Sequence, residues 1–363
     1  MAGMDDVSSV YAPVAKEMGE RYGMQVPTVF SAPERELDAA MRRSAVVEHS
    51  YFGRVKVSGK DALDFLHRLS TNDLLKLRPG SAAETVFTNA KGRIIDYTPV
   101  AVRSDHVLLL TSPGNQARLT EWLSKYHVTE DIRFEDITAS SAMCSIVGPH
   151  ALDSIRQLLK SNLKAGQMAE LRPKWGAILA MCLEAYPEQI VHIIGSPSSL
   201  AGLWRSLLEA QADGITPMGA FAYDAYRISR GIPAIGGEIS EEYTPLEVGL
   251  KEAVSFSKGC YIGQEVIARL DTYQKVHRRR LGLALSGPAR QGGGQNDLVK
   301  GGKVVGKVTS WLDRQIYNRY LGLGIVESSA VREGDSLQVE SSVRGITAVA
   351  LSIPMLVGGG SHA

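Results

Sequence analysis

Residues 258–269 read KGCYIGQEVIAR, and the chain is best understood outward from them. Just upstream, Phe256 closes an apolar alternation and Ser257-Lys258-Gly259 has the composition of a turn. Gln264 to Leu270 has helical composition, so Cys260 is expected on a loop that feeds a helix N-terminus. Exposed N–H groups and the helix dipole favour a thiolate at such an end, and Lys258 would add positive charge two residues away. On these residues alone an inert loop cysteine and a reactive one both stay open.

Toward the N-terminus, residues 1–35 form a weakly patterned extension broken by Pro13, Pro27 and Pro33. Leu37, Ala40 and Met41 predict an amphipathic helix over Glu34 to Arg43, and Arg54 to Val57 alternates like a half-buried strand. Ser58 is expected to cap a helix carrying Ala62, Phe65, Leu66 and Leu69, which Thr71-Asn72-Asp73 ends. Thr85 to Val102 reads as a hairpin with its turn at Asn89 to Gly92. A strand over Val107–Thr111, a helix marked by Leu119, Trp122, Leu123 and Tyr126, a strand at Ile146-Val147, a helix from Ala151 to Leu163 and a strand from Gln189 to Ile194 follow. The interleaving implies an α+β fold of mixed strand order over residues 36–275.

Beyond about residue 276 helical periodicity disappears. Leu281–Leu285, Val304-Val305, Lys307 to Thr309, Leu321–Val326, Leu337 to Val339 and Ala348 to Ile353 are short strands separated by Gly and charged turns, which predicts a small β-barrel or sandwich over 276–356. The Gly-rich tail from 357 to 363 is expected to be disordered.

Composition excludes several classes. Forty basic and thirty-nine acidic side chains leave a net charge of +1, so no basic excess speaks for direct nucleic-acid binding. Cys144, Cys182 and Cys260 are far apart, with no CxxC or histidine pairing, which argues against a metal scaffold and for a reducing compartment. No apolar run approaches the ~20 residues of a membrane helix, and no export or transit pattern is visible. The chain is expected to be cytoplasmic, with no membrane partner. Gly322-Leu323-Gly324 reads as a strand-packing pair, since Glu327 takes the last glycine slot of a dinucleotide fingerprint. The cluster Lys275, His277, Arg278, Arg279, Arg280 reads as a solvated strand rim or as a landing site for an anionic ligand tail.

With its cysteine in place, KGCYIGQEVIAR resembles the hallmark segment of the YgfZ family and its mitochondrial relatives, which support iron–sulfur proteins. Ser44 to Gly53, then Val55 to Gly59 and Thr71-Asn72-Asp73, resembles the opening blocks of glycine-cleavage T-proteins. Arg227 to Pro233 with Thr244 to Glu247 resembles their central block, and Val305 to Ser310 their C-terminal barrel. The similarity spans roughly residues 36–353. It implies α/β modules around a channel that holds tetrahydrofolate, plus the C-terminal β-barrel. On the resemblance, Cys260, Lys258 and Asp96 are the residues of chemistry. Thr71, Asn72, Asp96, Arg227, Tyr261, Gln264 and Glu265 are the folate-binding set.

Asp96 matches one of two adjacent T-protein aspartates near the folate N10 region, where a carboxylate can position or deprotonate an amine. Without the resemblance, it reads as a strand-end aspartate paired with Arg93 or Lys91. Two departures stand out: the second aspartate is Tyr97 here, and the Glu of the T-protein R-x-E-x-G block is Ser229. The resemblance thus implies a folate-binding accessory protein of iron–sulfur cluster assembly or repair, with tRNA-modifying and other iron–sulfur enzymes as clients and a polyglutamylated folate as a further possibility. A true aminomethyltransferase and a non-enzymatic folate sensor are the alternatives.

Overall fold

The computed structural model describes residues 7–184, 190–209, 214–272, 276–288, 296–340 and 345–356. Two compact units emerge from the contacts. The first comprises Met1–Phe87, Asp96–Ala222 and Glu252–Ile262; the second comprises Thr88–Ile95, Tyr223–Lys251 and Gly263–Ala363.

The first unit has two large sheets. One has the order Gln167–Leu171, Ile178–Cys182, Ile190–Gly195, Ala142–Val147, Ser44–Glu48, Ile215–Met218. All its pairings are antiparallel except the last, which is parallel. The other runs Ala82–Thr88, Ile94–Val102, His106–Thr111, Gly53–Ser58, Arg133–Asp136. Strand side chains alternate between faces. Accordingly Ala82, Ala101, Leu108 and Leu110 from the second sheet share one core with Met143, Leu179, Met181 and Ile194 from the first. The opposite face of the six-stranded sheet contributes Cys144, Ile146, Ala180 and Ile193 to a core closed by Trp204 of the helix Pro197–Glu209, whose ring meets Tyr11 edge-on at 5.5 Å.

The expected hairpin is present, with Asn89 N–H donating to Arg93 O at 2.9 Å and Gly92 N–H to Asn89 O at 2.8 Å. The helix Ala62–Leu69 buries Phe65, Leu66 and Leu69, each contributing on the order of 1.5–3 kcal/mol. Ser58 does not cap it. That residue ends the strand Gly53–Ser58, Asp61 holds the N-cap position, and the Asp61 carboxylate accepts from Asp131 N–H at 2.8 Å instead. The helix expected to reach Leu163 stops at Leu159, because Lys160 turns left-handed with φ 50°. The N-terminal extension is more ordered than its pattern suggests: it carries the helix Val7–Tyr11 and a hairpin of Glu17–Arg21 with Met24–Val29.

In the second unit, six strands between Arg278 and Leu351 close into a barrel, with no helix among its described residues. Leu281, Leu283, Leu285, Val308, Val326 and Val339 fill it. Gly324 is needed there, since a Cβ would stand 3.0 Å from Leu283 and 3.1 Å from Lys307 O. Lys275, the Gly-rich 292–294 and the tail from 357 lie outside the described residues.

Candidate functional site

Within the first unit, the segment Glu252–Ile262 is laced onto the end of the helix Ala62–Leu69. Lys258 is buried and its ammonium donates to three carbonyls: His67 O at 2.5 Å, Ser70 O at 2.8 Å and Asn72 O at 2.9 Å. His67 belongs to the last helical turn and Ser70 is the C-cap, where carbonyls lack intrahelical donors and the dipole favours a cation. Burial pushes the Lys258 amine down to about 8, against the pull of Asp73. The same ammonium lies 5.1 Å from the ring centroid of Tyr261, itself buried and with its phenol pushed up to about 12. Thr71 completes the lacing: its hydroxyl donates to Ala253 O at 2.6 Å, and its carbonyl accepts from Ser255 N–H at 2.9 Å.

Lys258 and Tyr261 therefore point inward, while Gly259 and Cys260 between them are exposed. The thiol stands four residues before the helix Gln264–Thr272. Cys144 and Cys182 are buried, the first pushed well above the ordinary thiol range and the second up to about 11, both mainly by burial. Among the three, Cys260 alone is open to solvent. Lys258, which the sequence offered as a cation for that thiol, holds its ammonium on the helix end.

The other first-unit candidates have mainly internal partners. Asn72 donates through Nδ2 to Glu84 O at 2.7 Å, and its N–H bonds Thr85 Oγ1 at 3.0 Å. Asp96 is fully buried. It accepts from Tyr97 N–H at 2.9 Å and Ser112 N–H at 3.1 Å, with the side chains of Ser112 and Asn115 adding further hydrogen bonds. Burial nevertheless lifts its carboxyl to about 6. Arg93, which with Lys91 is the partner the bare sequence offers, bonds Glu247 at 3.2 Å within the second unit. Tyr97 follows Asp96 on the strand and so faces the other way. Its hydroxyl donates to the buried Glu84 carboxylate at 2.7 Å.

In the second unit, Arg227 lies on the helix Ala220–Arg230 and donates to Asp224 at 2.7 Å and Ser310 Oγ at 3.2 Å. Ser310 in turn donates to the buried Glu238, which Thr309 also bonds. Ser229 is buried with its hydroxyl turned back to Tyr226 O at 2.8 Å, so it offers nothing in place of the missing glutamate. Gln264 and Glu265 open the helix that ends at Thr272, the first half-buried and the second exposed. Gly263 does not leave room for a ligand. Its φ is +84° and a Cβ would stand 2.6 Å from Asn89 O, so the hairpin turn occupies that space. Among the described residues of the basic cluster, His277 and Arg279 are exposed, Arg278 bonds Glu247 at 2.7 Å and Glu242 O at 3.0 Å, and Arg279 bonds Val331 O at 2.9 Å.

One first-unit constellation left no mark in the sequence. Ser145 Oγ lies 2.8 Å from both His49 Nδ1 and His192 Nδ1, all three buried. A hydroxyl has one proton to give, so one imidazole accepts it while the other donates, and the two rings are opposite tautomers. Burial keeps both neutral, holding His49 well below the ordinary range and His192 at about 4. Strand pairing sets His192 opposite Ser145, and His49 directly follows the strand Ser44–Glu48, which pairs with the strand of Ser145 on its other side. Among the described residues no group of His, Cys, Asp and Glu is arranged to hold a metal, and no helix is long and apolar enough to cross a membrane.

Residues 11–258 match the family described as the GCVT N-terminal domain. The chain belongs to that family. It is 32% identical over 328 residues to a chloroplastic protein of Arabidopsis thaliana that carries a provisional transferase name, covering 87% of this chain and 73% of that one. It is 28% identical to an aminomethyltransferase of Geobacillus kaustophilus, covering 95% and 96% of the two chains. The crystal structure of the glycine cleavage system aminomethyltransferase T from Bartonella henselae superposes with a TM-score of 0.77 at 19% identity over 96% of each chain, the same fold. The match confirms the α+β T-protein architecture with a C-terminal barrel. The family match ends at Lys258, so the rest of KGCYIGQE lies beyond it.

Proposed function

We propose that this chain is a tetrahydrofolate-binding protein of the YgfZ type, whose Cys260 serves iron–sulfur cluster assembly or repair in client enzymes such as tRNA-modifying ones. The observation that carries the reading is the inward–outward alternation at 258–261. A buried lysine and tyrosine hold a single exposed thiol out to solvent, on a fold otherwise shared with aminomethyltransferases.

The residues present fit a reduced folate in one respect. Asp96 is a buried acid whose carboxyl at about 6 can hold or release a proton near neutrality. When bound, tetrahydrofolate supplies a nitrogen able to carry a one-carbon unit. This chain's part is to keep Asp96 oriented through Ser112 and Asn115 and to order the 70–72 segment through Lys258. Arg227 would act by shaping, since its guanidinium is already engaged by Asp224 and Ser310. A polyglutamate tail finds less support, because Arg278 and Arg279 are engaged within the barrel unit. The three free thiols support a reducing compartment such as the cytoplasm.

Aminomethyl transfer, the activity named for several relatives, is disfavoured by Tyr97 and by the inward-turned Ser229. A folate sensor would not need the thiol. Calorimetric titration with tetrahydrofolate, a turnover assay with an aminomethyl donor, and complementation by Cys260→Ser separate the three. Binding without turnover, and loss of function in the serine variant, are expected. Absence of binding overturns the folate reading, turnover favours the transferase, and full complementation favours the sensor.

A further inference from the structure

We propose that Lys258 is a positioning residue: its ammonium fastens the thiol-bearing segment 252–262 to the end of the helix Ala62–Leu69, so that the presentation of Cys260 depends on it. The proposal rests on the thiol reading above. An ammonium has three hydrogens and no acceptor. Here three carbonyls, of His67, Ser70 and Asn72, stand within hydrogen-bond distance of it. Two of them flank Thr71, whose hydroxyl and carbonyl fix Ala253 and Ser255 on the same segment. The ring of Tyr261 lies on the far side of Cys260 and within cation–π range of the same nitrogen. The thiol thus sits in a short span anchored at both ends through one charge. A neutral amine keeps two hydrogens for three carbonyls, so deprotonation loosens the span without removing the side chain.

The experiment uses the full chain, the variants Lys258→Met and Lys258→Arg, and amide hydrogen exchange from pH 6 to 10 corrected for intrinsic rates. In Lys258→Met the Ser255 amide and its neighbours over 253–262 should exchange at least tenfold faster. The Ile193 and Cys144 amides of the six-stranded sheet should keep their protection. Lys258→Arg, which keeps charged donors, should restore most of the Ser255 protection. In the unaltered chain that protection should fall as pH rises past about 8, a step absent from the methionine variant. Unchanged exchange at Ser255 in Lys258→Met, or an equal loss over the six-stranded sheet, overturns the proposal. Complementation by Lys258→Met should fail as Cys260→Ser fails, with Lys258→Arg retaining function. Should Cys260→Ser complement fully, the thiol reading falls while the exchange pattern still decides the clamp.

Discussion

Replacing Asp96 with asparagine should make the protein more stable at pH 7.5. The carboxyl is fully buried and lifted from 3.8 to about 6, so ionising it in place is unfavourable by roughly two units, or about 3 kcal/mol at 1.36 kcal/mol each. An acid with a raised folded pKa contributes stability below its unfolded value and loses that contribution as pH rises through the folded value. Wild type should therefore forfeit up to that amount between about pH 4 and 7. Asparagine, nearly the same shape, keeps an acceptor for the Tyr97 and Ser112 amides without the charge. Urea denaturation of both proteins at several pH values gives the difference directly. The variant should exceed wild type by roughly 1–3 kcal/mol at pH 7.5 and converge with it near pH 4.5, while losing any proton-transfer role. A variant less stable than wild type at pH 7.5 would show that the hydrogen bonds from the 112–115 turn outweigh burial, and the reasoning would be refuted.

Native protein treated with iodoacetamide at pH 8 should lose one thiol, Cys260, and after unfolding all three; rapid labelling of Cys182 while folded would contradict its burial and its rise to about 11. Ser145→Ala should cost about 1–3 kcal/mol by stranding two buried imidazole nitrogens, measured by urea unfolding at pH 7.5. Because His192 is depressed to about 4, the intact network should lose stability as pH falls from 6.5 toward 4, and a flat profile there after correction for Asp96 would count against it. Gly263→Ala should destabilise by at least ~1–2 kcal/mol because of its left-handed backbone, whereas Gly259→Ala, with nothing within 4 Å of the added carbon, should be close to neutral.

Most of the fold was legible because its elements obey simple periods. The alternation at Arg54–Val57, the helical spacing of Phe65, Leu66 and Leu69, and the turn residues Asn89 to Gly92 all lie where the pattern put them. The helix Pro197–Glu209 escaped because small and polar residues interrupt its buried face. Ser199 and Gly202 pack inward with Leu203 and Trp204, and a Cβ at Gly202 would stand 2.3 Å from Trp175, so the apolar stripe that would mark the period is blurred. Of the candidate site, the loop position of Cys260 before a helix could be read from its flanking residues, but the partners of Lys258 could not. They are backbone carbonyls about 190 residues upstream, and a carbonyl carries no sequence signature. The His49–Ser145–His192 string was hidden because its members come from distant segments that the sheet, not the spacing, brings side by side.

The lacing of 252–262 onto 67–72 bears on how the molecule is made. The Thr71–Ala253 and Lys258 bonds join positions 182 to 191 residues apart. A ribosome adding some 5–20 residues per second leaves the helix end at Ser70 waiting many seconds for its cap. Throughout that interval the His67, Ser70 and Asn72 carbonyls must be served by water. A nascent chain halted before residue 252 would therefore resemble the finished first unit in its sheets yet lack the lock, leaving the thiol segment as the last piece of that unit to be secured.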